Sequence, residues 1–261
     1  MNISKTNKEQ FLVVVKTYPT PSLKYMETVC VAGVMPTGEW RRLYPLTFRY
    51  LPYEKQFPKY NWLSLEMYKK EKKRDFRLDS YSPTGSSIEI GEMLSTKNDP
   101  YWDNRKPFVL KRNRQSLEEI VCLYKQKAIS LGTFKPKEID FYITKSKKQW
   151  SQKRVNQLSQ LKLFGPQPKE LEQIPYEFRY KFRCDDKRCK KMHDIQIIDW
   201  EIYQSFRAWR SKYTEKELLV KIQEKWLDQM WASSRDSYLI VGSSFPNPTF
   251  LVLGVFWPKK K

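Results

Sequence analysis

What this sequence has little of narrows its chemistry before any motif is considered. It holds one histidine, four cysteines and eight glycines in 261 residues. Any Ser–His or Cys–His nucleophilic arrangement would have to run through that single ring, His193. Neither G-x-x-x-x-G-K-[ST] nor G-x-G-x-x-G occurs, so the glycine-rich loops that cradle phosphate are missing. Four cysteines in a chain this long do not make a disulfide framework, and a reducing cytoplasm is the expected setting. No apolar run approaches the ~20 residues of a membrane-crossing helix, so no membrane partner is expected. The opening MNISKTNKEQ carries no hydrophobic signal core, which argues against export.

Acidic residues are also short, 29 Asp+Glu against 49 Lys+Arg, for a net charge of +20. Small domains do well at a net charge of ~2–8. A larger excess costs self-repulsion that a polyanionic partner would offset. Nucleic acid, DNA or RNA, is the expected partner, with an acidic protein as the alternative. The excess is clustered. Lys145 to Lys169 contains seven basic residues and no acidic one. Further clusters are Lys69–Arg77, Arg105–Arg114, Lys187–Lys191 and the closing Lys259–Lys261.

What is plentiful is apolar and aromatic: 40% hydrophobic residues and 15% Phe, Trp and Tyr, enough to bury a core. The first 85 or so residues read as strands joined by Pro- and Gly-containing turns. These are Phe11–Thr17, Glu27–Val34, Glu39–Tyr44 after the turn Pro36-Thr37-Gly38, Tyr60–Tyr68 and Arg74–Tyr81. Such spacing favours a small barrel. A helix is predicted from a capping box at Ser116-Leu117-Glu118-Glu119 to a stop at Gly132. A strand at Glu138–Thr144 follows, then a basic connector over 145–173 with a short helix at Val155–Leu161. In Tyr176–Arg183 aromatic and charged residues alternate, so Tyr176, Phe178, Tyr180 and Phe182 should face inward and Arg179, Lys181 and Arg183 outward. Ile195–Ile198 reads as a strand and Asp199 as a helix cap. Thr214–Glu217 is a second capping box opening a helix with Leu218, Leu219, Ile222, Trp226 and Met230 on one stripe. Tyr238–Val241 and the apolar Thr249–Trp257 complete the chain as strands, the last central to a core.

The fold expected is α+β: an OB-like β-barrel over 11–112 after a frayed 1–10, then an α+β part over 113–261 with a mostly antiparallel sheet. The sharpest local feature is the loop 184–193, where Cys184, Cys189 and His193 bring two thiols and the one imidazole together as C-x4-C-x3-H. These are good zinc ligands. The fourth ligand is open among Asp185, Asp186, Asp194, Cys30 and Cys122. A closed four-ligand site would be structural.

Carboxylates for a metal-dependent nuclease would have to come from pairs such as Asp199 and Glu201, although the cap role explains Asp199 better. Stacking platforms for bases are expected among Trp40, Tyr60 and Trp62, flanked by Arg41 and Arg42. The phosphate track is expected along Lys147, Lys148, Lys153, Arg154, Arg179, Lys181 and Arg183.

Glu27-Thr28-Val29-Cys30-Val31-Ala32-Gly33, followed by Gly38-Glu39-Trp40-Arg41-Arg42-Leu43-Tyr44-Pro45, resembles the opening of bacterial dual-OB-type domains. The second half, with Cys184, Cys189, His193, Asp199-Trp200-Glu201 and the ending Leu251–Pro258, resembles an uncharacterised bacterial protein family. The first resemblance implies an OB-like barrel, a fold that often binds single-stranded nucleic acid. The function expected is thus non-enzymatic nucleic-acid binding, as an accessory subunit of a nucleic-acid-handling or defence complex. A metal-dependent nuclease and a module docking an acidic protein are the alternatives.

Overall fold

A computed structural model describes residues 8–22, 24–69, 75–84, 87–147, 150–151, 171–246 and 248–261, with Met26 described by its backbone alone. The fold is α+β and mostly sheet. The first sheet is built from β1 (Glu9–Lys16), β2 (Thr20–Ser22), β3 (Met26–Val34), β4 (Trp40–Leu46), β5 (Asn61–Leu65), β6 (Met67–Lys69), β7 (Ser80–Pro83) and β8 (Glu89–Met93). Its order is β6-β7-β4-β3-β1-β5-β8, with β2 added to β3. It curls strongly into a half-barrel, which agrees with an OB-like N-terminal part. The strand expected over Arg74–Tyr81 is shorter, because Asp75 folds back on the Arg77 guanidinium and the Ser80 hydroxyl (2.8 and 2.6 Å) and holds a turn before β7.

A short helix α1 (Lys106–Val109) leads to α2 (Leu117–Lys127). Ser116 caps α2 by accepting from the Glu119 N–H at 3.1 Å. Glu119 returns to the Gln115 N–H instead of completing the box on Ser116. The helix ends earlier than Gly132 because Ala128 takes the left-handed conformation, φ 52°, that terminates helices. Gly132 lies in a strand, β9 (Leu131–Phe134), where a side chain would strike Ile120 of α2.

The second sheet adds β10 (Pro136–Lys145), β11 (Tyr176–Cys184), β12 (His193–Ile197), β13 (Tyr238–Ser243) and β14 (Phe250–Phe256) in the order β10-β11-β12-β14-β13-β9. It is mixed, not mostly antiparallel, since β12 and β14 run parallel at Ile197↔Val252. A parallel pair needs a long crossover. That crossover is supplied by α3 (Trp200–Trp209), α4 (Glu215–Gln223) and β13. The capping box Thr214/Glu217 opens α4 as expected, and Leu218, Ile222, Trp226 and Met230 are all buried.

Alternation places Phe178, Tyr180 and Phe182 at 0% exposure in one core cluster with residues of α2, α3 and α4. In β1 both faces are covered. Phe11 and Val13 fill the half-barrel, while Leu12 and Val14 pack on Ile240, Leu253 and Phe256 of the second sheet. This explains the uninterrupted apolar run, the pattern of a strand buried on both sides. The two parts are joined further by the Tyr18 N–H donating to Ile198 O at 2.9 Å. Among the described residues no helix is long and apolar enough to cross a membrane.

Candidate metal centre and basic surfaces

The β11–β12 hairpin pairs Phe182 with His193, which brings the end of one strand beside the start of the next. Cys184 closes β11, Cys189 sits in the loop, and His193 opens β12 with its ring 5.0 Å from that of Phe182. The first turn of α2 lies against this hairpin. Leu117 N–H donates to Cys184 Sγ at 3.4 Å, and Ser116 Oγ donates to Asp186. Glu118 is thereby carried in as the fourth group. One ligand atom each from Glu118, Cys184, Cys189 and His193 lies within 4.8 Å of all the others.

Of three observations on the donor set, two fit a divalent cation and one requires a local widening. Cys189 Sγ and His193 Nε2 are 3.4 Å apart, near the ~3.5 Å edge that Zn–S of ~2.3 Å and Zn–N of ~2.0 Å give in a tetrahedron. His193 Nε2 and Glu118 Oε1 are 2.7 Å apart, so seating both on one ion needs a separation larger by roughly half an ångström. Glu118 Oε2 is buried without a hydrogen-bond partner. Burial pushes the Cys184 thiol far above its ordinary range, with the Leu117 N–H opposing this and the Glu118 carboxylate adding to it. A bound cation reverses that balance in favour of thiolate.

None of the anticipated fourth ligands lies in the cluster, whose fourth member is Glu118. Asp186 is held by Arg188 at 2.7 Å, Asp194 by Arg179 at 2.7 Å, and Asp185 points to Lys137 at 3.7 Å. Cys30 and Cys122 are outside the cluster. Glu118 is 75 residues from His193 in sequence. Its one sequence signal was its place in the first turn after the Ser116 cap.

The carboxylates considered for nuclease chemistry have another role. Asp199 is buried, caps α3 by accepting from the Glu201 N–H, and takes Lys59 Nζ on both oxygens at 2.8 and 3.0 Å. Lys59 also reaches Glu201 at 3.3 Å. Burial opposes the Lys59 charge, but Asp199 and Glu201 outweigh it and hold the ammonium above its usual range. This is a cap and an ion pair between the loop before β5 and the start of α3.

The proposed stacking rings are mostly core. Trp40 and Tyr60 are 5% and 9% exposed, and the half-buried Trp62 packs edge-on to Phe108. Trp40 and Tyr60 belong to the cluster packed between the half-barrel and the second sheet, so neither is free to stack on a base. Trp40→Ala is therefore expected to cost ~3–5 kcal/mol of stability, read by denaturant unfolding; a change within ~0.5 kcal/mol would return Trp40 to the surface. Arg41 is engaged by Glu9 at 2.8 Å, and Arg42 is buried.

On β11, Arg179 is paired with Asp194 and Glu177, Arg183 stands 3.9 Å from Glu138, and Lys181 is opposite Asp140 and Asp194 in register. Cross-strand acids thus neutralise this face. Lys147 is exposed, while Lys148, Lys153, Arg154 and the helix expected at Val155–Leu161 lie outside the described residues. In the loop that carries Cys189, Lys187, Lys190 and Lys191 are all exposed and without an ion pair among the described residues.

The chain matches two families. One, described as a domain of unknown function (DUF8758), covers residues 7–111, and the other, also a domain of unknown function (DUF8757), covers residues 113–261. No curated protein and no solved structure matches it.

Proposed function

The chain belongs to the DUF8757 family, and we propose that it is a non-enzymatic nucleic-acid-binding protein whose basic loop is braced by structural zinc. The observation that carries this reading is the placement of Lys187, Lys190 and Lys191, exposed and without an ion pair among the described residues, on the loop that holds Cys184, Cys189 and His193. Two thiolates, an imidazole and a carboxylate are a donor set suited to zinc. With all four positions filled by protein there is no open position for a reacting water, so the role is structural. Thiolate charge cancels that of the ion, leaving the lysines to face phosphate. A net charge of +20 supplies the long-range attraction.

The test is the salt dependence of binding to labelled single-stranded DNA and RNA 20-mers. Replacing the three lysines together (K187Q, K190Q, K191Q) is expected to flatten the log–log slope by about 2–3, at ~0.7–0.9 for each phosphate no longer neutralised. An unchanged slope removes this loop from the binding path.

A further inference from the structure

A cavity of about 660 Å³ lies between the half-barrel and the second sheet. Arg42 of β4 lines it and is only 3% exposed, yet its Nε and Nη1 have no hydrogen-bond partner. The nearby acids are committed elsewhere, Glu177 of the wall to Arg179 at 3.5 Å. Asp75 is taken by Arg77 and Ser80, and Asp79 by the Ser130 hydroxyl and the N–H groups of Ser130 and Leu131. Arg77, the other cation of the wall, is spent on Asp75 and on Ser243 O. The Ser243 hydroxyl is likewise buried and unpartnered. Gly242 makes this placement possible, since a Cβ there would lie 2.8 Å from Arg42 Nη2.

A buried guanidinium without a counter-charge is costly, and buried polar groups are almost always satisfied. The geometry points to an anionic ligand that completes Arg42. Phosphate suits it, because guanidinium donors match phosphate oxygens. The cavity is far larger than one phosphate needs and falls in the ~300–1,000 Å³ range of small-molecule sites. Its remaining wall is mixed, with Thr17, Gln173, Glu177 and Gln196 beside a group of aromatic rings. Tyr18 and Tyr203 stack on one another at 4.7 Å, and Trp150 and Tyr176 stand near them.

We propose that this cavity binds a nucleotide, with Arg42 taking the phosphate and the aromatic rings the base. The site takes one nucleotide in a half-open pocket, and so stands apart from the binding of a strand by surface lysines. The nucleotide has two possible sources, a free mononucleotide or the 5′-phosphorylated end of a chain.

Calorimetry and thermal shift on the full chain decide it, using AMP, adenosine, inorganic phosphate and the 5′-phosphorylated dinucleotide pApA. Stabilisation by AMP identifies the free nucleotide, and stabilisation by pApA alone identifies a chain end. In either case adenosine should bind more weakly. Arg42→Gln should weaken binding roughly 10–150-fold, the usual range for a charged hydrogen bond. The ligand-free R42Q protein should melt at or above the wild-type temperature, because it has lost an unpaired buried charge. The proposal is overturned if neither AMP nor pApA binds, if binding survives R42Q, or if inorganic phosphate binds as well as AMP. It also fails if R42Q melts well below wild type or does not fold, since Arg42 would then serve the fold.

Discussion

Chelation is expected to remove about one zinc ion per chain and to lower the thermal midpoint by roughly 5–16 °C. The magnitude follows from scale. Structural zinc supplies apparent binding energies of ~10–16 kcal/mol in zinc-finger peptides. Here the second sheet and its helices have a core of their own, so about a quarter of that is assigned to coupling with the fold. At ~2–4 °C per kcal/mol for a chain near this size, the range above results. The ion would tie α2, which carries Glu118, to the β11–β12 hairpin, which carries the other three groups. Without it the Cys184 thiol is buried and protonated, and Glu118 Oε2 has no partner. Cys184→Ser should reproduce the loss and abolish its sensitivity to chelator. Substoichiometric zinc by metal analysis, with a melt unaffected by chelation, would retire the centre.

Lys59→Met is expected to destabilise the protein by ~3–5 kcal/mol, the cost of leaving a buried ionic partner uncompensated. Lys59 belongs to the half-barrel part, and Asp199 starts α3 in the other. Their contact is two-pronged and buried, with side-chain exposures of 12% and 6%. Little room is available for relief, since even a Cβ on Gly254 would lie 3.2 Å from Asp199 Oδ2. Adding Asp199→Asn to Lys59→Met should recover much of the loss, because the amide carries no charge and still caps α3. The two substitutions are thus expected to be strongly non-additive in a double-mutant cycle by urea unfolding. A Lys59→Met protein within ~0.5 kcal/mol of wild type would show that the pair does not couple the two parts.

The periodic and capped segments were legible because their signals are local. Period-two alternation identifies the inward face of β11, and Ser116, Asp199 and Thr214 each cap a helix. What escaped depends on pairing between distant residues. Whether Arg179, Lys181 and Arg183 form a basic face is decided by the register that sets Glu138, Asp140 and Asp194 across from them. The parallel β12–β14 pair and the four-residue β9 depend on the crossover and on α2 rather than on their own composition. The trio Cys184, Cys189 and His193 was visible as a short-spaced cluster, whereas Glu118 joins only because α2 docks on the hairpin. Aromatics beside basic residues read equally well as core or as stacking surface, and Trp40 and Tyr60 resolve to core because the second sheet packs against them.

The central claim is that a metal-braced loop presents Lys187, Lys190 and Lys191 to a phosphate backbone. Its most direct test is oligonucleotide binding across a salt series, with zinc-loaded and chelator-treated protein compared at a temperature where both are folded. The account predicts that loss of zinc weakens binding and flattens the log–log slope by about 2–3, as neutralising the three lysines does. Equal affinity and equal slope in the two forms would contradict it.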